Sequence, residues 1–573
     1  MPFHDGRTVS TSENPSVPTE ETTPEAPVGP IATDAEPNAE TSVKATADPS
    51  ADTNADTSAD DDTATIRAAL EDVAAILPGW LETIRARTRG SGMQAAIWFD
   101  GELLTEVAVG EADMSAGITL LPTHRLRIAS HSKMFAALTI MRLREKGLLR
   151  LDDTLGERVG DLADTPVADR TLRDLLSHSA GISRDSSDSR WWQHGKPFPT
   201  REELLEIART DAVKAEAGVH LQYSNIGYGL LGLVIEEVTG LSFEQAVTEL
   251  VLEPVGVPEI GPDLPEGFDG PKATHGFALG HTAALFGPRR PVEQIHTGAL
   301  AAATGFWANA GSIASFAGRV FTEGALLEAG SLREMRRRVW SVADGAHYGL
   351  GLQEGPVAGF QAIGHSGGFP TGLSRTWAVP DKKLAVSVIG TSVDAPSSEV
   401  ATGLLHLIGL ALGRPVPEAE RWEGAAALGG GGDGRERPAP LSEQPGVELH
   451  GQTLSAREVA DLVAGIYDSP WGRSRLARIG DRLFELSDSA FNPTDGAVEL
   501  AVHDTAADPM CEGGTVVLLT TWGDVGYGSW AEPMAARIES GPQGRLECTG
   551  VMSTGKLMVP TERFELPERI VAP

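Results

Sequence analysis

The hydrophobic pattern changes period several times along the chain. In "IRAALEDVAAILPGWLETIRART" apolar residues recur at helical spacing, predicting a helix broken or bent near Pro78-Gly79. "MQAAIWFDGELLTEVAVG" then alternates as a hairpin turning at Asp100-Gly101. In "RLRIASHSKMFAALTIMRLREKGLL" the stripe Met134, Phe135, Leu138, Met141 and Leu143 predicts a helix beginning at Ser130, with Arg142, Arg144, Glu145 and Lys146 in its last turn and Gly147 as its stop. Further on, "TWAVP", the turn "DKK" and "LAVSVIG" read as paired strands, and "SSEVATGLLHLIGLALG" as a helix able to cover the same sheet. First and last elements should therefore meet. Between them a largely helical insertion, about Leu148 to Phe321, faces that sheet.

The pattern breaks after Gly413, where "RPVPEAERWEGAAALGGGGDGRERPAPLSEQPG" reads as a linker over 416–449. Short strands with regular turns follow from about His450, among them "RLARIG", "DRLFEL", "AVELAVHD" and "GTVVLLTTW", predicting an antiparallel barrel over 450–573. At the other end, residues 1–63 are rich in Thr, Ala, Pro and Asp and poor in large apolar groups, so they are expected to lack structure. The catalytic candidate is thus the segment 64–415.

With 573 residues, 41% hydrophobic and 22% charged, the chain can bury a substantial core. Its net charge of −33 argues against nucleic acid and against an anionic membrane surface, and about a third of that excess lies in the N-terminal segment. No run of about twenty apolar residues suggests a membrane span, and "MPFHDGRTVSTSENP" lacks the features of a signal peptide, so a cytoplasmic location is expected. Cys511 and Cys548 lie beyond the catalytic segment and read as two small core residues, with a disulfide as the alternative in an exported protein. The pair His275 and His281 has no third ligand at useful spacing, and no metal or other cofactor is expected.

Candidate chemistry centres on Ser130-His131-Ser132-Lys133. On a helix the residues of Ser-x-x-Lys share a face, so a buried Lys133 amine can take the Ser130 proton. A second copy, Ser553-Thr554-Gly555-Lys556, is separated by turn-favouring residues instead. Gly364-His365-Ser366-Gly367-Gly368 also fits the Gly-x-Ser-x-Gly elbow of α/β-hydrolases, but an elbow needs a helix after its turn, and here Pro370, Gly372 and a strand follow.

Two further elements, Tyr223-Ser224-Asn225 and His365-Ser366-Gly367, stand in order behind the Ser-x-x-Lys. With flanking text such as "TLRDLLSHSAGI" and "ATGFWANAGSIASFA", this segment resembles the serine hydrolases built like class C β-lactamases and D,D-carboxypeptidases, which include D-aminopeptidases, esterases and penicillin-binding-type thioesterases. The resemblance implies an α/β fold, an antiparallel sheet flanked by helices plus a helical subdomain, followed here by an all-β, lipocalin-like barrel. It also implies that Ser130 is acylated, that Lys133 and Tyr223 move protons, and that Asn225, His365 and Ser366 bind substrate. The backbone N–H groups of Ser130 and Gly368 would hold the oxyanion. His365 replaces the permanent cation of the Lys-Thr-Gly usual in β-lactamases, which disfavours efficient antibiotic hydrolysis. The expected substrate is a small molecule or short peptide, with D-residue peptides and small esters foremost. A thioesterase that cyclises or releases a peptidyl thioester, a β-lactamase and a non-catalytic sensor are the alternatives. In such relatives the barrel caps the cleft; a purely structural or homo-oligomerising barrel is the other reading.

Overall fold

The computed structural model describes residues 54–343, 345–414, 437–486, 497–522, 532–541 and 544–573. Helix α1 (Asn54–Thr88) begins within the segment expected to lack structure, the remainder of which lies outside the described residues. Of the break or bend expected near Pro78-Gly79, the break does not occur: α1 runs through both residues. Both residues face solvent, while Leu70, Val73, Leu77 and Leu81 form an uninterrupted buried stripe, and packing of that stripe outweighs the lost backbone bond.

The stripe lies on a nine-stranded sheet. Its strands are β1 (Gly92–Phe99), β2 (Glu102–Asp113), β3 (Ile118–Thr119), β4 (Trp340–Ala343), β5 (Ala346–Tyr348), β6 (Gln353–Val357), β7 (Phe360–Phe369), β8 (Gly372–Val379) and β9 (Leu384–Gly390). They are ordered β3-β2-β1-β9-β8-β7-β6-β5-β4, every neighbouring pair antiparallel. First and last strands meet as expected, Ile97 opposite Val386. The β1–β2 hairpin turns at Asp100-Gly101, both at positive φ.

Alternation along β1 builds two cores. Met93, Ala95, Ile97 and Phe99 pack under α1 and under the predicted C-terminal helix, here Ser397–Ala411, while Ala96 and Trp98 face the opposite core. That second core contains helix α2 (Ser132–Glu145) and helix α3 (Asn225–Thr239) of the helical insertion. No single helix among the described residues is long and apolar enough to cross a membrane.

The C-terminal region is a closed eight-stranded barrel, from Gly465–Ser469 to Lys556–Pro560, with consecutive strands paired. Helix Ala456–Val463 contributes Val459 and Val463 to the barrel core. Part of the expected linker lies outside the described residues; within the rest, Val447–Leu449 and Gln452–Leu454 pair as a small hairpin. Both cysteines are free, and the expectation of two core residues does not hold for Cys511, which is exposed. It sits in a turn closed by Gly514 N donating to its carbonyl, and turns lie at the surface. Cys548 is half-buried.

Candidate active site

Ser130 lies in a short 3₁₀ turn, Ala129–His131, that runs into α2. Ala129 has φ 48°, a left-handed conformation costly for a residue with a Cβ, and the turn is held from several sides. Ser132 Oγ donates to Ala129 O and accepts from Phe306 N, and His131 N and Nδ1 both bond Ile128 O. Ser130 remains half-exposed, while Lys133, one turn on, is fully buried.

The Lys133 amine has three oxygens around it: Ser130 Oγ at 3.3 Å, Asn225 Oδ1 at 2.8 Å and Ala303 O at 2.9 Å. Burial, with a lesser push from Arg184, holds its pKa well below the usual lysine range. A neutral amine has two N–H donors and one lone pair. Asn225 and Ala303 accept from the two donors, which leaves the lone pair for the Ser130 hydroxyl to donate into. This arrangement suits proton abstraction from a serine.

Tyr223-Ser224-Asn225 is shaped by a helix cap. Ser224 is the N-cap of α3, its Oγ accepting from Gly227 N at 2.7 Å and donating to Ser183 O at 2.6 Å. Asn225 therefore enters the first turn and points at Lys133, its Nδ2 donating to Asp185 Oδ1 at 3.0 Å. Tyr223, outside the cap, lays its ring 4.6 Å from Lys133 Nζ, and His178 packs on it at 4.2 Å while accepting from Ser224 N. Burial, then Lys133, holds the His178 pKa well below that of free imidazole.

The third element falls on β7. That strand continues through a tight turn into β8, so Ser366 is followed by strand and not helix, as expected against an elbow. Alternation places Ser366 and Gly368 on the more open face and His365 and Gly367 on the buried one. His365, expected to line the cleft wall, is instead 1% exposed: Tyr348 OH bonds its Nε2 at 3.1 Å, and Nδ1 donates to Ser366 O at 2.6 Å. Burial and the nearby His131 hold its pKa well below that of free imidazole, so it is neutral. Gly367 is needed for close approach. A Cβ there would overlap Ile128 O and lie 2.6 Å from Ser374 Oγ, so only glycine lets β7 press against the Ser130 turn.

The structure thus brings Ser130, Lys133, Tyr223 and Asn225 together, sets Ser366 and Gly368 on the strand packed against the Ser130 turn, and puts His365 behind it. Sequence reasoning did not single out Asp185, Ala303, His178 or Tyr348. His178 and Ala303 fall in the two quoted flanking stretches, so their signal was present but not assigned to a residue. A cavity of about 410 Å³ lined by Phe198, Phe268, Phe277 and Leu279 lies apart from this cluster and includes none of its members. No group of metal ligands occurs among the described residues.

Comparison with known proteins agrees with this geometry. The Beta-lactamase family description matches residues 35–410. The chain is 28% identical over 172 residues to Protein flp of Staphylococcus aureus, covering 29% of this chain and 33% of that protein. It is 26% identical over 363 residues to a D-aminopeptidase of Brucella anthropi, covering 60% of this chain and 64% of that one. The matches therefore span about a third and just under two thirds of those proteins' lengths. Among solved structures, the octameric penicillin-binding protein homologue from Pyrococcus abyssi superposes with a TM-score of 0.51 at 22% identity, covering 84% of this chain and 99% of that one, a likeness of fold.

Proposed function

The chain belongs to the Beta-lactamase family, and from that premise we propose that it is a serine hydrolase working through an acyl-enzyme on Ser130. The observation that carries the reading is the Lys133 amine, buried with no carboxylate among the described residues in hydrogen-bonding contact and held against Ser130 Oγ by Asn225 and Ala303. Lys133 takes the Ser130 proton as Oγ attacks an amide or ester carbonyl. Negative charge collects on the carbonyl oxygen, facing the N–H groups of Ser130 and Gly368. Tyr223 gives its proton to the leaving nitrogen or oxygen as the bond to the carbonyl carbon breaks, and recovers one from Lys133. The ester left on Ser130 is released by water along the reverse path. The neutral His365 supplies no fixed cation for a β-lactam carboxylate, which favours other amides and esters. Similarity to the D-aminopeptidase supports peptides containing D-residues as the substrate class.

The test is intact mass after exposure to a fluorophosphonate probe and, separately, to a penicillin. A single adduct is expected, lost in Ser130→Ala and retained in Ser366→Ala. Labelling that survives Ser130→Ala and vanishes in Ser366→Ala would overturn the assignment.

A further inference from the structure

Backbone N–H groups in the stretch around Tyr223 are bonded to residues 178 and 179. Gly218 N donates to Ser179 O at 2.8 Å, Gln222 N to His178 O at 2.8 Å, and Ser224 N to His178 Nδ1 at 3.1 Å. The peptide N–H groups on either side of Tyr223 thus both end on His178, one on its carbonyl and one on its ring. That ring also lies against the phenol, 4.2 Å away between centroids and tilted by 37°, and the phenol in turn lies 4.6 Å from Lys133 Nζ. His178 is itself held in place: its N donates to Leu175 O at 3.2 Å, Ser179 N donates to Asp174 O at 2.7 Å, and the Tyr228 and Tyr348 rings close on the imidazole at 5.1 and 4.9 Å.

Two features of His178 cost stability. Its φ of 59° is in the left-handed region, which a residue with a Cβ disfavours. Because Nδ1 accepts from Ser224 N, the ring carries its proton on Nε2, and that buried nitrogen has no hydrogen-bond partner among the described residues. Protonating Nδ1 as well would set two N–H groups head to head. Simpler side chains would each supply only part of what the site contains. Phenylalanine would offer a ring face without an unpaired nitrogen, but nothing to accept from Ser224 N. Asparagine would accept that bond and suits the left-handed backbone, but has no ring to lay on Tyr223. An imidazole does both, and costs of this kind are found where a site needs a particular geometry.

We propose that His178 is the positioning residue for Tyr223, fixing the phenol against Lys133 so that its hydroxyl can deliver a proton to the leaving atom. The inference rests on the hydrolase reading above and deepens its proton step. His178 acts through Tyr223, so its effect falls on leaving groups that need a proton and spares those that do not.

The test compares the p-nitrophenyl and methyl esters of N-acetyl-D-alanine, which put the same acyl group on Ser130. p-Nitrophenolate departs without a proton, whereas methoxide needs one. The quantity read is kcat/KM for both esters in the unaltered protein, His178→Ala, His178→Asn, Tyr223→Phe and the double variant His178→Ala/Tyr223→Phe. His178→Ala is expected to lose about 100-fold on the methyl ester, the order that a misplacement of about 1 Å costs, and no more than about threefold on the p-nitrophenyl ester. Tyr223→Phe should show the same selectivity, and the double variant should be no worse than Tyr223→Phe alone. His178→Asn, able to accept from Ser224 N through Oδ1, should recover at least about tenfold on the methyl ester. The ratio of the two esters on one sample does not depend on the fraction folded. Equal losses on both esters in His178→Ala beside a selective Tyr223→Phe, no loss in His178→Ala, no recovery in His178→Asn, or losses that multiply in the double variant would overturn the proposal. Equal losses in Tyr223→Phe, or an unaltered protein that does not cleave the methyl ester, would instead remove the proton step of the hydrolase reading, and the proposal with it. Absence of p-nitrophenol release dependent on Ser130 would remove that reading altogether.

Discussion

Gly367→Ala tests whether contact between β7 and the nucleophile turn sets the reaction geometry. The added methyl would overlap Ile128 O and lie 2.6 Å from Ser374 Oγ, neither of which is free to retreat. Ile128 O is bonded by His131 N and Nδ1, and Ser374 Oγ donates to the same oxygen at 3.2 Å. The strand must therefore back away from the turn by about 1 Å, a displacement that costs on the order of 100-fold when it falls between a nucleophile and the groups positioning its substrate. Loss of one oxyanion donor gives a similar figure, about 100- to 1000-fold. Overpacking adds about 1–3 kcal/mol of destabilisation, so melting temperature is followed in parallel. The assay is the second-order rate of Ser130 phosphonylation by intact mass, on protein verified as folded by circular dichroism. Labelling within about threefold of the unaltered protein, well short of the loss expected for a displaced oxyanion donor, would refute the reasoning.

Two further outcomes follow from the charge states. Because the Lys133 pKa is held well below its ordinary value, acylation should reach its plateau well before the pH at which an ordinary lysine titrates and fall toward acid, as the amine gains a proton; a rate still climbing toward about pH 10, where an unperturbed lysine titrates, would contradict this. For Glu532 the shift is upward, from 4.5 to about 7, so between those values the folded chain binds more protons than the unfolded one, and stability falls as pH rises through that window. Glu532→Gln should flatten the decline, by on the order of 3 kcal/mol at most, and melting curves of both proteins from pH 5 to 8 would show no difference if the carboxyl were in fact solvated.

Much of this architecture was legible because it is local. The β1 alternation, the α2 stripe and the turn at Asp100-Gly101 are properties of neighbouring residues, and each specifies its element before any tertiary contact forms. Ser130 and Lys133 were legible for the same reason, since one helical turn separates them. Pro78 does not break α1 because its penalty is local while the stripe from Leu70 to Leu81 is rewarded by the sheet beneath it. The burial of His365 was not legible for another reason. Its motif marks the strand correctly, but strand alternation decides which of two adjacent side chains meets the cleft, and that depends on the close approach of Gly367 to Ile128.

What no local pattern carries is the path from the barrel to the base. Lys133 bonds Asn225, Asn225 bonds Asp185, and the loop that holds Asp185 is fastened to the barrel by Ser189, Gln193 and the Glu532 contact with Arg184 N. The loop and its barrel partners are separated by more than three hundred residues in sequence, and their contacts use backbone atoms, so side-chain identity offers no cue. The chain has a physical consequence. A buried amine stays neutral only while its surroundings remain dry, and one of the two oxygens that fix its orientation, Asn225 Oδ1, belongs to a side chain held by a carboxylate whose loop is bonded to the barrel. On the mechanism proposed above, the barrel would act on Ser130 through the environment of Lys133, at a distance from any bond that breaks.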